Sequence, residues 1–421
     1  MDKIVIHGGR KLKGEVTISG AKNSALPIMA ACLLSDEESV IENVPNLRDI
    51  QTMIRLLRSL GARIHFEKGV LSIKPGKELN PLAPYKLVST MRASVCVLGP
   101  LLARVGRAEV SLPGGCVIGP RPIDLHLKGL EALGAHIEIQ HGYVKARTFR
   151  KLRGADIYLG GSFGSSVLAT DNVMMAAVLS HGKTSIENAA CEPEVVDLAH
   201  FLKKMGAKIS GEGSPRIEIE GVKKLHGTKT SVIPDRIETG TFMFAAAMTG
   251  GDVLIKKTDP SHQNAVIDKL RQSGVKVEKG KNALRVKGNG RLKPVDVTTL
   301  PYPGFPTDLQ AQMMALMSIT PGISVITEKI YPDRFMHVSE LNRMGCQIFL
   351  EGPSAIVHGI KRLSGAPVMA SDLRASAALV IAGLVAEGAT EVHRVYHLDR
   401  GYENLESKLC SLGASIHREK E

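Results

Sequence analysis

One signature recurs along this chain: an amphipathic helix that closes on glycine and runs straight into a short β-branched strand. It reads Leu60-Gly61-Ala62-Arg63-Ile64, Leu133-Gly134-Ala135-His136-Ile137 and Met205-Gly206-Ala207-Lys208-Ile209. It returns as Ser273-Gly274-Val275-Lys276-Val277, Met344-Gly345-Cys346-Gln347-Ile348 and Leu412-Gly413-Ala414-Ser415-Ile416. The six glycines lie 73, 72, 68, 71 and 68 residues apart. Such a period restricts the fold to copies of one supersecondary unit. Glycine has a mechanical reason to be there, since it supplies the left-handed position that ends a helix. Upstream of each copy is a second helix, apolar nearly all round, at 24–34, 93–105, 166–179, 239–248, 310–319 and 375–385. A helix without a polar face is a buried one. The unit therefore reads strand, buried helix, strand, amphipathic helix, strand, strand.

The sixth copy is cut short, with eight residues after Gly413. The N-terminus holds the missing part: residues 4–14 parallel 217–227 and 356–365 in their Ile-x-Ile…Gly pattern. Residues 1–21 are thus expected to pair with the C-terminal repeat. Three repeats then make each domain, 22–229 and 1–21 plus 230–421, with the connections near Gly20-Ala21 and Ile233-Pro234 as a hinge. The fold class is α/β (α+β): two domains of three βαβαββ repeats, helices buried inside each, an inside-out α/β barrel.

The chain's 421 residues, 43% hydrophobic and 23% charged, are enough for two domains with ample core. Its six cysteines are scattered, without a CxxC or Cys/His cluster, which speaks against a disulfide framework or zinc site and for a reducing compartment. Met1-Asp2-Lys3-Ile4-Val5 lacks the layout of a signal peptide, and the apolar runs are too short for a membrane span. A cytoplasmic protein is expected. The net charge of +12 fits either a nucleic-acid binder or an enzyme with phosphate- and carboxylate-bearing substrates. With 4% aromatics, no Trp and dispersed basic residues, anionic small molecules are the better fit.

Two places carry chemistry. In Gly114-Gly115-Cys116-Val117-Ile118-Gly119-Pro120-Arg121-Pro122-Ile123-Asp124, two glycines free the backbone before a thiol, and two prolines stiffen it around an arginine. A helix reading 125–133 follows. Arg121 and the helix dipole would favour a thiolate and a bound phosphate alike. The same residues fit an ordinary turn with a bystander cysteine, and local sequence does not choose. Second, where each closing strand meets the next buried helix, the copies carry Lys22-Asn23, Arg92, 162–166, Arg236, Asp308 and Asp372-Leu373-Arg374. Helix N-termini are anion sites, and Lys and Arg are poor caps, so four basic side chains at equivalent places point to anion binding. Asp308 and Asp372 also fit as helix caps.

Several longer motifs now support a resemblance that covers essentially the whole chain. They are residues 19–27 around Lys22-Asn23, 113–126 around Cys116, 234–241, 305–308, 334–337, 372–376 and 396–403. In these the sequence resembles the UDP-N-acetylglucosamine 1-carboxyvinyltransferase family, the UDP-GlcNAc enolpyruvyl transferases of the EPSP synthase superfamily. The resemblance implies two domains of three βαβαββ units with the active site in the cleft between them. It also implies transfer of the enolpyruvyl group of phosphoenolpyruvate to the 3′-hydroxyl of UDP-GlcNAc, with phosphate released by addition and elimination, as the first committed step of peptidoglycan precursor synthesis. No cofactor or metal is implied if arginines and lysine supply the charge.

Carried over position by position, Cys116 is the acid at C3 of phosphoenolpyruvate and the target of the epoxide fosfomycin, and Asp308 is the base at the sugar hydroxyl. Lys22, Arg121 and Arg400 hold the phosphate, with Arg334 and Arg400 near the carboxylate. Asn23, Asp308 and Ile330 touch the sugar. Arg121, Pro122, Ile123, Asp124 and Leu125, together with Ser162, Phe163 and Gly164, receive the uridine diphosphate, and Arg92 lies at the pocket edge. Asp372 and Arg374 support these groups without contacting substrate, and His126 and His337 are structural. One stretch departs from the pattern: Leu159-Gly160-Gly161-Ser162-Phe163 reads a residue short and lacks a lysine that some relatives place near the diphosphate. The partners implied are the two small-molecule substrates, with neither nucleic acid nor membrane insertion. Three rivals stand beside this: an enolpyruvyl transferase acting on shikimate 3-phosphate, an RNA-end-processing protein on a related scaffold, and an inactive paralogue.

Overall fold

The computed structural model describes residues 2–112, 123–162 and 164–420. Among them the strands form six four-stranded sheets of one pattern, plus a small ribbon in which Gly160–Gly161 pairs with Gly164–Ser165. In each sheet the first strand of a unit runs parallel to the second. The second pairs antiparallel with the fourth, and the fourth pairs antiparallel with the third. The sheet of Asp156–Tyr158, Lys183–Glu187, Arg216–Glu220 and Lys208–Ser210 shows it, with Ile157 opposite Ile186, Ile186 opposite Ile217, and Ile219 opposite Ile209. Lys208–Ser210 and Arg216–Glu220 alternate buried and exposed, so this side of the sheet packs one face on the core and gives the other to solvent.

The chain divides into two compact units, residues 20–233 and the remainder: the segment up to Ser19 with everything from Pro234 onward. Each has its own apolar core. In the first unit the inner helices are Lys22–Ala31, Leu98–Val105 and Val167–Ala177. In the second they are Arg236–Met248, Gln310–Ser318 and Leu373–Gly383, which pack on one another. Every residue of Gln310–Ser318 is buried, as expected of a helix with no polar face. Outside these lie amphipathic helices such as Arg48–Ser59 and Pro193–Lys204. The six glycines of the repeat have φ between +89° and +102°, the left-handed conformation that closes each of these outer helices.

The ends of the units differ from the sequence reading in two respects. Asp2–His7 does complete the last sheet, sitting between Ala389–His393 and Ser415–Lys420 in the place of a fourth strand. Lys13–Thr17, however, does not join that repeat but pairs in parallel with Asp252–Lys256. Likewise Lys229–Ser231 belongs with the first unit, because it pairs in parallel with Val40–Glu42, so the division falls after Ile233 rather than after residue 229. Both are first strands of a unit, too short to show a period of their own.

Several inner helices begin earlier than their apolar stretch. Asp235 accepts hydrogen bonds from Ile237 N and Glu238 N at 2.8 and 2.9 Å, which starts the helix at Arg236 rather than at 239. Asp372 does the same for the helix from Leu373. The expected helix 93–105 is two pieces, a 3₁₀ turn Arg92–Val97 and the α-helix Leu98–Val105, whose first turn holds Pro100. No helix among the described residues is long and apolar enough to cross a membrane.

Candidate active site

Asp308 lies on the 3₁₀ turn Thr307–Leu309 that leads into Gln310–Ser318. Arg334 sits in the loop before His337–Arg343, and Arg374 in the first turn of Leu373–Gly383. Three segments distant in sequence thus converge on one carboxylate. Arg334 Nη1 donates to Asp308 Oδ1 at 2.8 Å. Arg374 donates to Oδ2 through Nε at 3.1 Å and Nη2 at 2.9 Å. Both guanidiniums are buried, while a quarter of the Asp308 side chain (26%) stays open. Burial alone would raise the Asp308 pKa, but the two guanidiniums outweigh it and hold the carboxyl well below the usual carboxylate range. The site is an ionised, partly accessible acceptor pinned between two fixed cations.

This geometry settles the cap question differently for the two aspartates. Pro306 occupies the capping position of the turn and Asp308's oxygens go to arginines, so Asp308 is no helix cap. Asp372 is one. Arg374 bonds Asp308 directly and lies 5.5 Å over the Tyr402 ring, whose hydroxyl meets Thr241 Oγ1 at 2.8 Å. His337 is buried and held low, to about 4, first by burial. Arg400 ends the 3₁₀ turn Val395–Arg400 and is half-buried.

Ile330 is placed by a residue the sequence reading passed over. Glu328, fully buried, accepts from Ile330 N at 2.8 Å and Tyr331 N at 3.0 Å, and also from Thr299 Oγ1 and Thr307 Oγ1 at 2.6 and 2.9 Å. A lone glutamate at the end of a strand carries no signal of this kind.

In the other unit Lys22 opens its inner helix, is 8% exposed, and donates to Asp49 Oδ2 at 2.9 Å. An anion arriving at this ammonium meets a cation already held in place. Asn23 beside it is half-buried. Arg92 starts its 3₁₀ turn. Ile123 is buried just before the helix Asp124–Ala132, Asp124 is its exposed first residue and Leu125 is half-buried. The aspartate is therefore in the helix rather than ahead of it. Leu125 Cδ1 comes within 3.2 Å of where a Cβ on Gly161 would stand, so the start of this helix and the ribbon flanking Ser162 and Gly164 are brought together. His126 is buried, accepts from Asn172 Nδ2 at 2.8 Å, and is pushed down to about 3 by burial and then by Arg92, which keeps it neutral. Cys116, Arg121, Pro122 and Phe163 lie outside the described residues.

These features match known proteins along the whole chain. The family model for EPSP synthase (3-phosphoshikimate 1-carboxyvinyltransferase) matches residues 6–409. The UDP-N-acetylglucosamine 1-carboxyvinyltransferase of Methylacidiphilum infernorum is 58% identical over 418 residues, 99% of either chain. That of Desulfosudis oleivorans is 57% identical over the same share. The chain belongs to the UDP-N-acetylglucosamine 1-carboxyvinyltransferase family. Members of this enolpyruvyl transferase fold reach well beyond close sequence likeness: the enolpyruvyl transferase NikO from Streptomyces tendae superposes with a TM-score of 0.89 over 99% of this chain and 98% of its own, at 24% identity.

Proposed function

We propose that the protein transfers the enolpyruvyl group of phosphoenolpyruvate to the 3′-hydroxyl of UDP-N-acetylglucosamine and releases phosphate, in the cytoplasm, as an early step of peptidoglycan precursor synthesis. The observation that carries this reading is the full-length 58% identity to a UDP-N-acetylglucosamine 1-carboxyvinyltransferase. The pinned carboxylate of Asp308 is the geometry that suits it.

The reaction needs a proton taken from the sugar hydroxyl as its oxygen bonds to C2, and a proton given to C3. The tetrahedral adduct then loses a proton from C3 and expels phosphate. We assign Asp308 to the hydroxyl and Cys116 to C3. Lys22, Arg121 and Arg400 take the phosphate and Arg334 with Arg400 the carboxylate, fixed cations placed where negative charge gathers. Asn23 and Ile330 meet the sugar. Ile123, Asp124, Leu125, Ser162 and Gly164, with Arg121, Pro122 and Phe163, take the uridine diphosphate, and Arg92 stands at its edge. A carboxylate held so low is a poor base until one cation leaves it. In this assignment Arg334 turns to the substrate carboxylate, which lets the Asp308 pKa rise when a proton has to be accepted.

The decisive experiment is phosphate release from phosphoenolpyruvate with and without UDP-GlcNAc. Release that depends on UDP-GlcNAc supports the transferase. Release with shikimate 3-phosphate instead transfers the assignment to that enzyme class, and silence with both favours a non-catalytic role.

A further inference from the structure

We propose that Glu328 is a positioning residue for the sugar end of the active site, an inference that rests on the functional reading above. Its carboxylate has no exposed surface, and four donors from three segments converge on it. Its own backbone is anchored as well, with Glu328 N donating to Pro353 O at 2.8 Å.

Both threonines that bond it are relays. Thr307 Oγ1 donates to Glu328 Oε2 and accepts from Arg334 Nη1 at 3.0 Å, the same nitrogen that holds Asp308 Oδ1. Thr299 Oγ1 donates to Glu328 Oε1 and accepts from Lys329 N at 3.0 Å. A hydroxyl has one hydrogen, so giving it to the glutamate leaves the lone pairs for those N–H groups. One buried carboxylate thus fixes the turn at 329–331, which presents Ile330, and the orientation of the Arg334–Asp308 pair. Ile330 and Asp308 touch the sugar in the assignment above, Arg334 meets the phosphoenolpyruvate carboxylate, and none of the three is assigned to the uridine diphosphate. A supporting group of this kind sets the geometry from which the first contacts act.

The test uses Glu328→Gln, which keeps the shape but faces N–H and O–H donors with an NH₂. Calorimetric affinities are measured for UDP-GlcNAc and for UDP alone, beside the kinetic constants. The expected result is a loss on the order of tenfold for UDP-GlcNAc with UDP binding unchanged, and a lowered kcat. Equal losses for both ligands, or none for either, overturn the proposal, because a merely structural glutamate does not distinguish them. Should Glu328→Gln fail to fold, Thr307→Val decides: it breaks one relay, and absence of a sugar-selective loss there overturns the proposal equally. Wild-type protein that binds UDP-GlcNAc no better than UDP would sink the functional reading instead, which keeps the two failures apart.

Discussion

Arg374 closes on Asp308 through two nitrogens of one guanidinium edge, Nε at 3.1 Å and Nη2 at 2.9 Å, and both land on the same oxygen, Oδ2. The opposite oxygen is left to Arg334. Because Arg374 is itself buried, its charge is poorly screened and does most to keep Asp308 ionised. Arg374→Gln removes that hold. The acid limb of the kcat/KM pH profile is then expected to move up, by roughly 1–3 pH units, the effect of one opposite charge at contact distance. An unmoved acid limb would mean that Arg334 alone keeps Asp308 ionised across the working pH range, so that Arg374 does not set its charge state.

Asp308→Asn tests the same carboxylate from the other side. The amide keeps the shape, accepts hydrogen bonds at one oxygen instead of two, and cannot take a proton from a hydroxyl. If Asp308 is the base, kcat falls far more than the KM for UDP-GlcNAc rises. Near-normal kcat would reduce Asp308 to an anchor for Arg334 and Arg374.

The chemistry assigned to Cys116 is checked by mass. Fosfomycin opens its epoxide on a thiolate, so incubation with the protein and UDP-GlcNAc is expected to add one inhibitor mass, and Cys116→Ser to remove that adduct. Three of the other cysteines, Cys32, Cys96 and Cys346, are buried, and burial pushes Cys32 up to about 12, far from thiolate at neutral pH; exposed Cys410 and half-buried Cys191 are what the Cys116→Ser control has to separate. An adduct that persists on Cys116→Ser would move the nucleophile elsewhere.

What the sequence made legible follows from how locally each feature is encoded. Gly134 and its five counterparts announce themselves because a helix end needs a left-handed residue there, whatever the tertiary context. Lys22 and Arg374 were found by register, since equivalent repeats put equivalent residues at helix starts. The Arg334–Asp308–Arg374 contact was not legible, because its members are 26 and 66 residues apart and only packing brings them together. Glu328 was missed for the same reason, having four partners and no motif. The parallel pairing of Lys13–Thr17 with Asp252–Lys256 escaped because a five-residue strand with one buried side chain shows no alternation.

Gly134 and Gly221 give a stability test of that distinction. At Gly134, φ is +95° and nothing lies within 4 Å of an added Cβ. Gly134→Ala therefore meets only backbone strain, about 1–2 kcal/mol, and should lower the denaturant midpoint with the slope unchanged. At Gly221 an added Cβ would run into the Ser180 carbonyl oxygen, so Gly221→Ala must shift backbone and is expected to cost more. Equal losses would mean that the left-handed backbone at Gly134 costs an alanine as much as the close approach at Gly221 does.

A buried acid, Glu238, lies outside the proposed chemistry. Glu238 is 2% exposed; it accepts from Lys408 Nζ at 2.5 Å and from Ser19 N at 2.8 Å. Burial lifts its pKa from an ordinary 4.5 to about 7, with Lys408 and the Ser19 N–H pulling the other way. Between those two pH values the folded protein keeps a proton that the unfolded chain releases. The contribution of Glu238 to stability is thus fully present below about pH 4.5 and is lost as pH rises through 7. Glu238→Gln cannot titrate, so any fixed change it brings is the same at every pH. The difference in unfolding free energy between variant and wild type is expected to drift in the variant's favour by up to about 1.4 kcal/mol per pH unit across that window. Denaturant titrations at pH 5, 6, 7 and 8 read this drift directly, and parallel curves would show that Lys408 keeps Glu238 ionised throughout.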